Sequence, residues 1–203
     1  MAVFGLSASG RLYTIDTASG ALTAVGNAAP AALAGATVAM NFNPVADRIR
    51  VVSDSGLNLR LHPDTGAVAA TDPALAWAPG DARAGQAPKL AAAAYTYNKT
   101  NDKLTTNYAI DRAAGLLVTQ GSVEGVQPVV SPNTGLLRSV GALGTGPVDA
   151  AALDIADTDN TALAALRQNG RTRLHLVDLA TGKATPIGTV GDGRPLWGMA
   201  IEP

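Results

Sequence analysis

The stretch "LNLRLHPDTGAVAATD", residues 57–72, decides the fold. Leu57, Leu59 and Leu61 alternate with Asn58, Arg60 and His62, the period-two pattern of a strand with one buried face. "HPDTG" then turns the chain: Pro63 and Asp64 initiate, and Gly66 takes a positive φ without the clash that a Cβ would bring. A second strand follows. Three other stretches read the same way: "RLYTIDTASGALTAVGN" from Arg11, "PVVSPNTGLLRSVGALG" from Pro128 and "RLHLVDLATGKATPIGTV" from Arg173. Their turns close on Gly20, Gly135 and Gly182, so the four turn glycines stand 46, 69 and 47 residues apart.

Two further strands precede most of these hairpins. "VAMNFNP" comes before "DRIRVVSDSG", "LAAAAYTYN" before "KLTTNYAIDRAAG", and "DAAALDIAD" before "TALAALRQNGR". Each unit is therefore four strands, A to D, repeated at roughly 50 residues, a period typical of propeller blades. The first unit lacks strand A, and "LWGMAIEP" at the other end has the character to supply it. The expectation is an all-β chain forming one domain over residues 1–203. Its architecture is a small β-propeller of four blades with four antiparallel strands each, the last strand closing the first blade. Radial repetition of this kind protects sheet edges. Five blades are the alternative, because "RAAGLLVTQGSVEGVQ" in the long third unit leaves room for another hairpin.

Composition excludes several classes. The 203 residues carry a net charge of −1 with both signs mixed along the chain, which argues against a nucleic-acid or anionic-membrane surface. There is no cysteine, hence no disulfide framework or thiolate metal site. No apolar run approaches the roughly 20 residues that span a bilayer. The absence of cysteine fits export, with a signal peptide removed and replaced by Met1; a cytoplasmic location fits as well.

"NPVADRIRVVSDSGLNLRLHPDTGAV" resembles the signature of the bacterial family called domain of unknown function 4394, in which an NPAADRLR-like motif is followed by NLR. "GDARAGQAPKLAAAAYTYN", "NYAID" and "LLRSVGALG" are similar to the same family. The resemblance covers most of the chain. It implies a propeller-like fold and frequent export, and it assigns no activity and no catalytic residue.

The motif itself is unusually charged for a strand. Arg48 and Arg50 share one face, and Asn58 and Arg60 share a face of the next strand. Middle strands of a propeller are covered on both sides, so these charges need partners or cost several kcal/mol. Asp47, Asp54 and Asp64 are the local carboxylates. The expectation is a polar network of Asp47, Arg48, Arg50, Asp54, Asn58 and Arg60 that fixes register between blades, with an anion site on the arginine row as the alternative.

Function is expected on the loops. "WAPGDARAG" and "GDGRPLWG" are alike D-to-A connections, each with Gly-Asp, an Arg two residues on, and a nearby Trp. They nominate Trp77, Asp81, Arg83, Asp192, Arg194 and Trp197, ring faces for stacking and charges for orientation, as a ligand site. The competing reading packs the tryptophans between blades. Strands that converge on one axis also allow a channel cation. "DIADTDN" places Asp154, Asp157 and Asp159 together, but lacks the Gly and Glu of an EF-hand loop, so a turn is expected. His62 and His175 lie in different units, and no dedicated metal site or cofactor is predicted. With no nucleophile elbow and no cysteine, the chain reads as a monomeric, non-enzymatic binding module of an exported protein. Its partner would be a small polar ligand or another protein. A carbohydrate-active hydrolase or lyase on the same loop face, and a scaffold with no ligand, are the alternatives.

Overall fold

The repeats fold into four small sheets set in a ring, a four-bladed β-propeller; the computed structural model describes residues 2–201. The first sheet holds β1 (Val3–Leu6), β2 (Leu12–Ile15) and β3 (Leu22–Ala24). The second holds β4 (Val38–Asn43), β5 (Arg48–Ser53), β6 (Asn58–Leu61) and β7 (Val68–Thr71). The short β8 (Ala76–Trp77) leaves that blade and pairs in parallel with the outer strand of the third. The third blade runs through β9 (Leu90–Tyr95), β10 (Asn107–Asp111), β11 (Leu116–Gln120) and β12 (Leu136–Ala142). The fourth comprises β13 (Ala150–Ile155), β14 (Ala162–Gln168), β15 (Arg171–Val177) and β16 (Ala184–Thr189). Apart from β8, every paired strand is antiparallel.

Three details differ from the sequence reading. Residues 121–131 form no strand, so no fifth blade exists; the third blade's C strand is β11, and "PVV" belongs to a long C-to-D connection ending in the short 3-10 turn Pro132–Thr134. The outer hairpin is thus not a tight one there, because the chain detours before returning. The first sheet has three strands: residues 195–201 run toward it without joining its ladder. Glu202 and Pro203 of the expected closing strand lie outside the described residues.

The inner strands explain the alanines. β9 lies against both β4 and β13, and its Ala91 to Ala94 are all buried. Near the axis the blades converge, and only small side chains let neighbouring backbones approach.

Packing between blades is uneven. Leu12 and Val25 join Ile49, Val51 and Leu61 between the first and second blades. Val52, Leu75 and Trp77 join Ala109, Val118 and Leu137 between the second and third. Ile110 and Leu117 join Leu153, Ile155, Leu166 and Val177 between the third and fourth. Among the described residues no such cluster joins the fourth blade to the first. The turn glycines record the same asymmetry. A Cβ on Gly135 would meet the Ala74 carbonyl at 2.7 Å, just beyond the second blade's outer strand, and one on Gly182 the Gly141 carbonyl at 2.6 Å, in the third blade's outer strand. Gly20, the first blade's turn glycine, has nothing within 4 Å.

Candidate functional site

The charged strand comes first, because its arginine row is one of the two places where a ligand was expected. Arg50 is only 2% exposed. Its Nε donates to Tyr95 Oη at 2.7 Å, Nη1 to Asn58 Oδ1 at 2.5 Å and to Asp72 Oδ2 at 3.1 Å, and Nη2 to Asn133 Oδ1. Arg60 grips the same Asp72 with two bonds of 2.9 and 2.8 Å. Gln120 Nε2 donates to Asn58 Oδ1, which ties the second blade to the third. The guanidinium is thus occupied by the protein, and the arrangement is a buried network.

Arg50, Asn58 and Arg60 belong to it as expected, but three expected members do not. Asp47 and Arg48 pair at 3.9 Å on the surface turn before β5, where Asp47 has φ +50°. Asp54 stands at the other end of β5. It accepts the Ala36 and Thr37 N–H groups and an Arg112 nitrogen at 3.1 Å. Burial works against that charge, yet these donors outweigh it and hold the Asp54 pKa below the ordinary value. Asp64 is exposed beside His62. The carboxylate that matters, Asp72, directly follows β7 and continues its ladder, its N–H donating to the Asn58 carbonyl at 2.9 Å, which puts it on the same face as Asn58 and Arg60. Nothing in local spacing marks it.

The two similar loops are not joined by a hydrogen bond or ion pair among the described residues. Trp77 is buried between blades, with the Arg83 guanidinium 6.0 Å from its ring centre. Asp81 accepts the Ser139 N–H at 2.8 Å and the Arg83 N–H at 2.9 Å, pinning its loop to β12. Burial opposes the Asp81 charge, and those donors still pull its pKa down. Asp192 and Arg194 form an exposed ion pair of 2.6 Å, and Thr172 Oγ1 donates to the Arg194 carbonyl. Trp197 is 91% exposed. His175 is buried, and burial lowers its pKa, favouring the neutral ring.

A concave feature lies at the opposite end, where the A strands finish and the A-to-B turns begin. A cavity of about 360 Å³ opens there between β1, β4, the end of β13 and residues 199–201. That volume sits at the lower end of the range of small-molecule sites. Three inner strands and the returning C-terminal segment meet at its floor. Asn41 Oδ1 accepts the Tyr95 N–H at 3.0 Å, Asn41 Nδ2 donates to Asp154 Oδ1 at 3.2 Å, and the Ile201 N–H donates to Asp154 Oδ2 at 2.7 Å. Burial raises the Asp154 pKa, against the pull of the Ile201 N–H and Asn41 amide, and Asp157 adds to the rise. Tyr97 is clamped by Asn160, whose amide both accepts from its N–H and donates to its carbonyl. Burial raises the Tyr97 pKa, as do the Asp154 and Asp157 charges. Asp159 instead accepts the Thr161 N–H, the turn role expected of it.

The Asp154 shift has a pH consequence. A carboxyl whose folded pKa is raised stabilises fully below its unfolded value of 3.8, and that contribution is lost as pH rises through the folded pKa. The difference in Tm, Asp154→Asn minus wild type, is therefore expected to grow as pH climbs from about 3.5 to 7. A difference that stays constant or shrinks across that series contradicts the burial of this charge.

Comparison with known families places the chain. The model for Domain of unknown function (DUF4394) matches residues 1–200. The chain belongs to the DUF4394 family. It is also similar in fold to a crystal structure of a protein of unknown function from Bacteroides thetaiotaomicron, with a TM-score of 0.52 and 14% identity. The match covers 93% of this chain and 45% of that one, so the chain spans less than half of its neighbour's length. No curated protein matches the sequence.

Of the cavity residues, the sequence singled out Asp154, Asp157 and the returning 197–201 segment, each for another reason. Asn41 and Tyr97 carry no such signal, because the cavity arises from which inner strands face one another across the axis.

Proposed function

We propose that this domain is a non-enzymatic binding module whose small-molecule ligand enters the central channel from the A-to-B turn end. The observation that carries this reading is the cavity of about 360 Å³ at the channel mouth, with Asn41, Asp154 and the Ile201 N–H fixed at its floor. Sites on propellers gain precision from rigid strands rather than from loops. Asp154 accepts an N–H group on each oxygen, which holds the carboxyl in one orientation as an acceptor for a bound ligand. The loops around Trp77 and Asp192 then serve mainly to seal and pin the other end.

The test is a thermal-shift screen of sugars, small anions, metal ions and amines on wild type and on Ala200→Trp, which places a large ring at a lining position of the cavity. A true ligand raises the wild-type Tm by mass action and leaves the variant unmoved. Ligands that shift both proteins equally, or a screen that is flat for wild type, would sink the reading.

A further inference from the structure

Resting on the channel-mouth reading above, we propose that the ligand is an organic cation: a primary ammonium carried on an aromatic or aliphatic body. Among the described residues the cavity lining contains two carboxylates, Asp154 and Asp157, and no Lys, Arg or His. Among the described residues no basic group stands within ion-pair distance of either carboxylate. This is unusual for the protein, whose other buried aspartates include two held by arginines: Asp72 by Arg50 and Arg60, Asp54 by Arg112. A half-buried carboxylate without a counter-ion is costly, and a cation brought by a ligand would offset that cost. Asp154 keeps room for it, because a carboxylate offers about four lone-pair sites and the two N–H donors occupy two of them.

The rest of the lining says what the cation must carry. Phe4, Phe42, Met40, Ile49 and Met199 make apolar walls. Phe4, Phe42 and Tyr97 supply aromatic rings of the kind that attract ammonium groups. A bare metal ion fits poorly: no group of three or more acidic or histidine ligands able to hold one occurs among the described residues, and apolar walls add nothing to its coordination. An anion would meet two negative charges. A sugar would meet few side-chain donors and leave its hydroxyls facing Phe and Met. The cavity opens where β1, β4 and the end of β13 meet, and among the described residues no apolar cluster like those of the other three seams joins the fourth blade to the first.

An isosteric series separates charge from shape: tryptamine, tryptophol and indole-3-acetate share one ring system and differ in carrying a positive, neutral or negative end. Calorimetric titration at about pH 7.5 is expected to rank tryptamine about tenfold or more above tryptophol, with no binding of indole-3-acetate. In Asp154→Asn the ratio of tryptamine to tryptophol affinity should fall to about one. Asp157→Asn, on the rim turn, should lower the ratio partway and serves if the first variant fails to fold. Equal binding of tryptamine and tryptophol, or tighter binding of indole-3-acetate, overturns the cation assignment. So does a hit from the sugar or anion screen that Ala200→Trp abolishes while the indoles stay silent; in that case the channel-mouth reading stands. If neither the indoles nor any screened compound distinguishes wild type from Ala200→Trp, both fall together.

Discussion

Arg50→Ala is expected to lose about 3–5 kcal/mol of folding stability, the range for removing one partner from a buried ion pair. The cost comes from what is left behind. Asp72 keeps Arg60 but loses its second cation, Tyr95 Oη loses its donor in the buried interior, Asn58 Oδ1 is left with Gln120 alone, and the half-buried Asn133 Oδ1 loses its guanidinium partner. Unsatisfied buried acceptors of this kind each cost about 1–3 kcal/mol. Denaturant midpoints measure it, with the slope checked to be unchanged so that the shift reports stability alone. A loss below about 1 kcal/mol would mean that water replaces the guanidinium freely and that the second and third blades are not locked by it. Ligand binding by a well-folded variant that matches wild type is also expected, since Arg50 is not itself among the residues that line the cavity.

The second large effect is a contrast between two glycines at the same repeat position. Gly141 in β12 and Gly188 in β16 each stand six residues beyond their turn glycines, Gly135 and Gly182. Neither needs a positive φ, so alanine is allowed by the backbone at both. Their surroundings differ. A Cβ at Gly141 would lie 2.0 Å from the Thr181 carbonyl oxygen, in the turn of the next blade; at Gly188 nothing lies within 4 Å. Gly141→Ala must therefore push two backbones apart and is expected to cost about 3 kcal/mol, the upper part of the overpacking range. Gly188→Ala is expected to be neutral or to stabilise by about 0.4–1 kcal/mol through the unfolded chain. Thermal or denaturant unfolding of the pair reads out the seams directly. Equal destabilisation would show that the fourth blade docks on the first as tightly as the others dock on each other.

That contrast also marks how much was legible in the sequence. The turn "HPDTG" and its relatives betrayed the hairpins because the cause is local: Asp, Asn or Pro to start, and Gly66 or Gly182 at the positive φ that closes the turn. The four-blade count followed from their spacing. The third unit misled in detail, since "PVV" alternates no differently from a strand, and only the path of residues 121–131 over the blade keeps it out of the ladder. The buried arginines were recognisable from their number on one strand, but their carboxylate was not. Asp47, Asp54 and Asp64 are all nearer to Arg50 in sequence than Asp72 is, and the partner was settled by the pairing of β7 with β6, which brings Asp72 beside both arginines.

The candidate site divides in the same way. Repeated "GD-R" loops drew attention because they are similar, and similarity between loops reports shared architecture before it reports chemistry; Asp81 and Asp192 each bind within their own neighbourhood. Asn41, Tyr97 and Asp154 share no motif. They come together because three inner strands end at one level around a common axis, and a cavity remains where the first blade has three strands instead of four. Strands, turns and the repeat are encoded locally, because each depends on residues within a few positions of one another. Which carboxylate meets Arg50 was settled within the second blade, when β7 paired with β6 and set Asp72 opposite Asn58; which seam is left unfilled and where an uncompensated Asp154 faces a cavity were settled only when the blades packed, since both depend on distances between blades that no local pattern encodes.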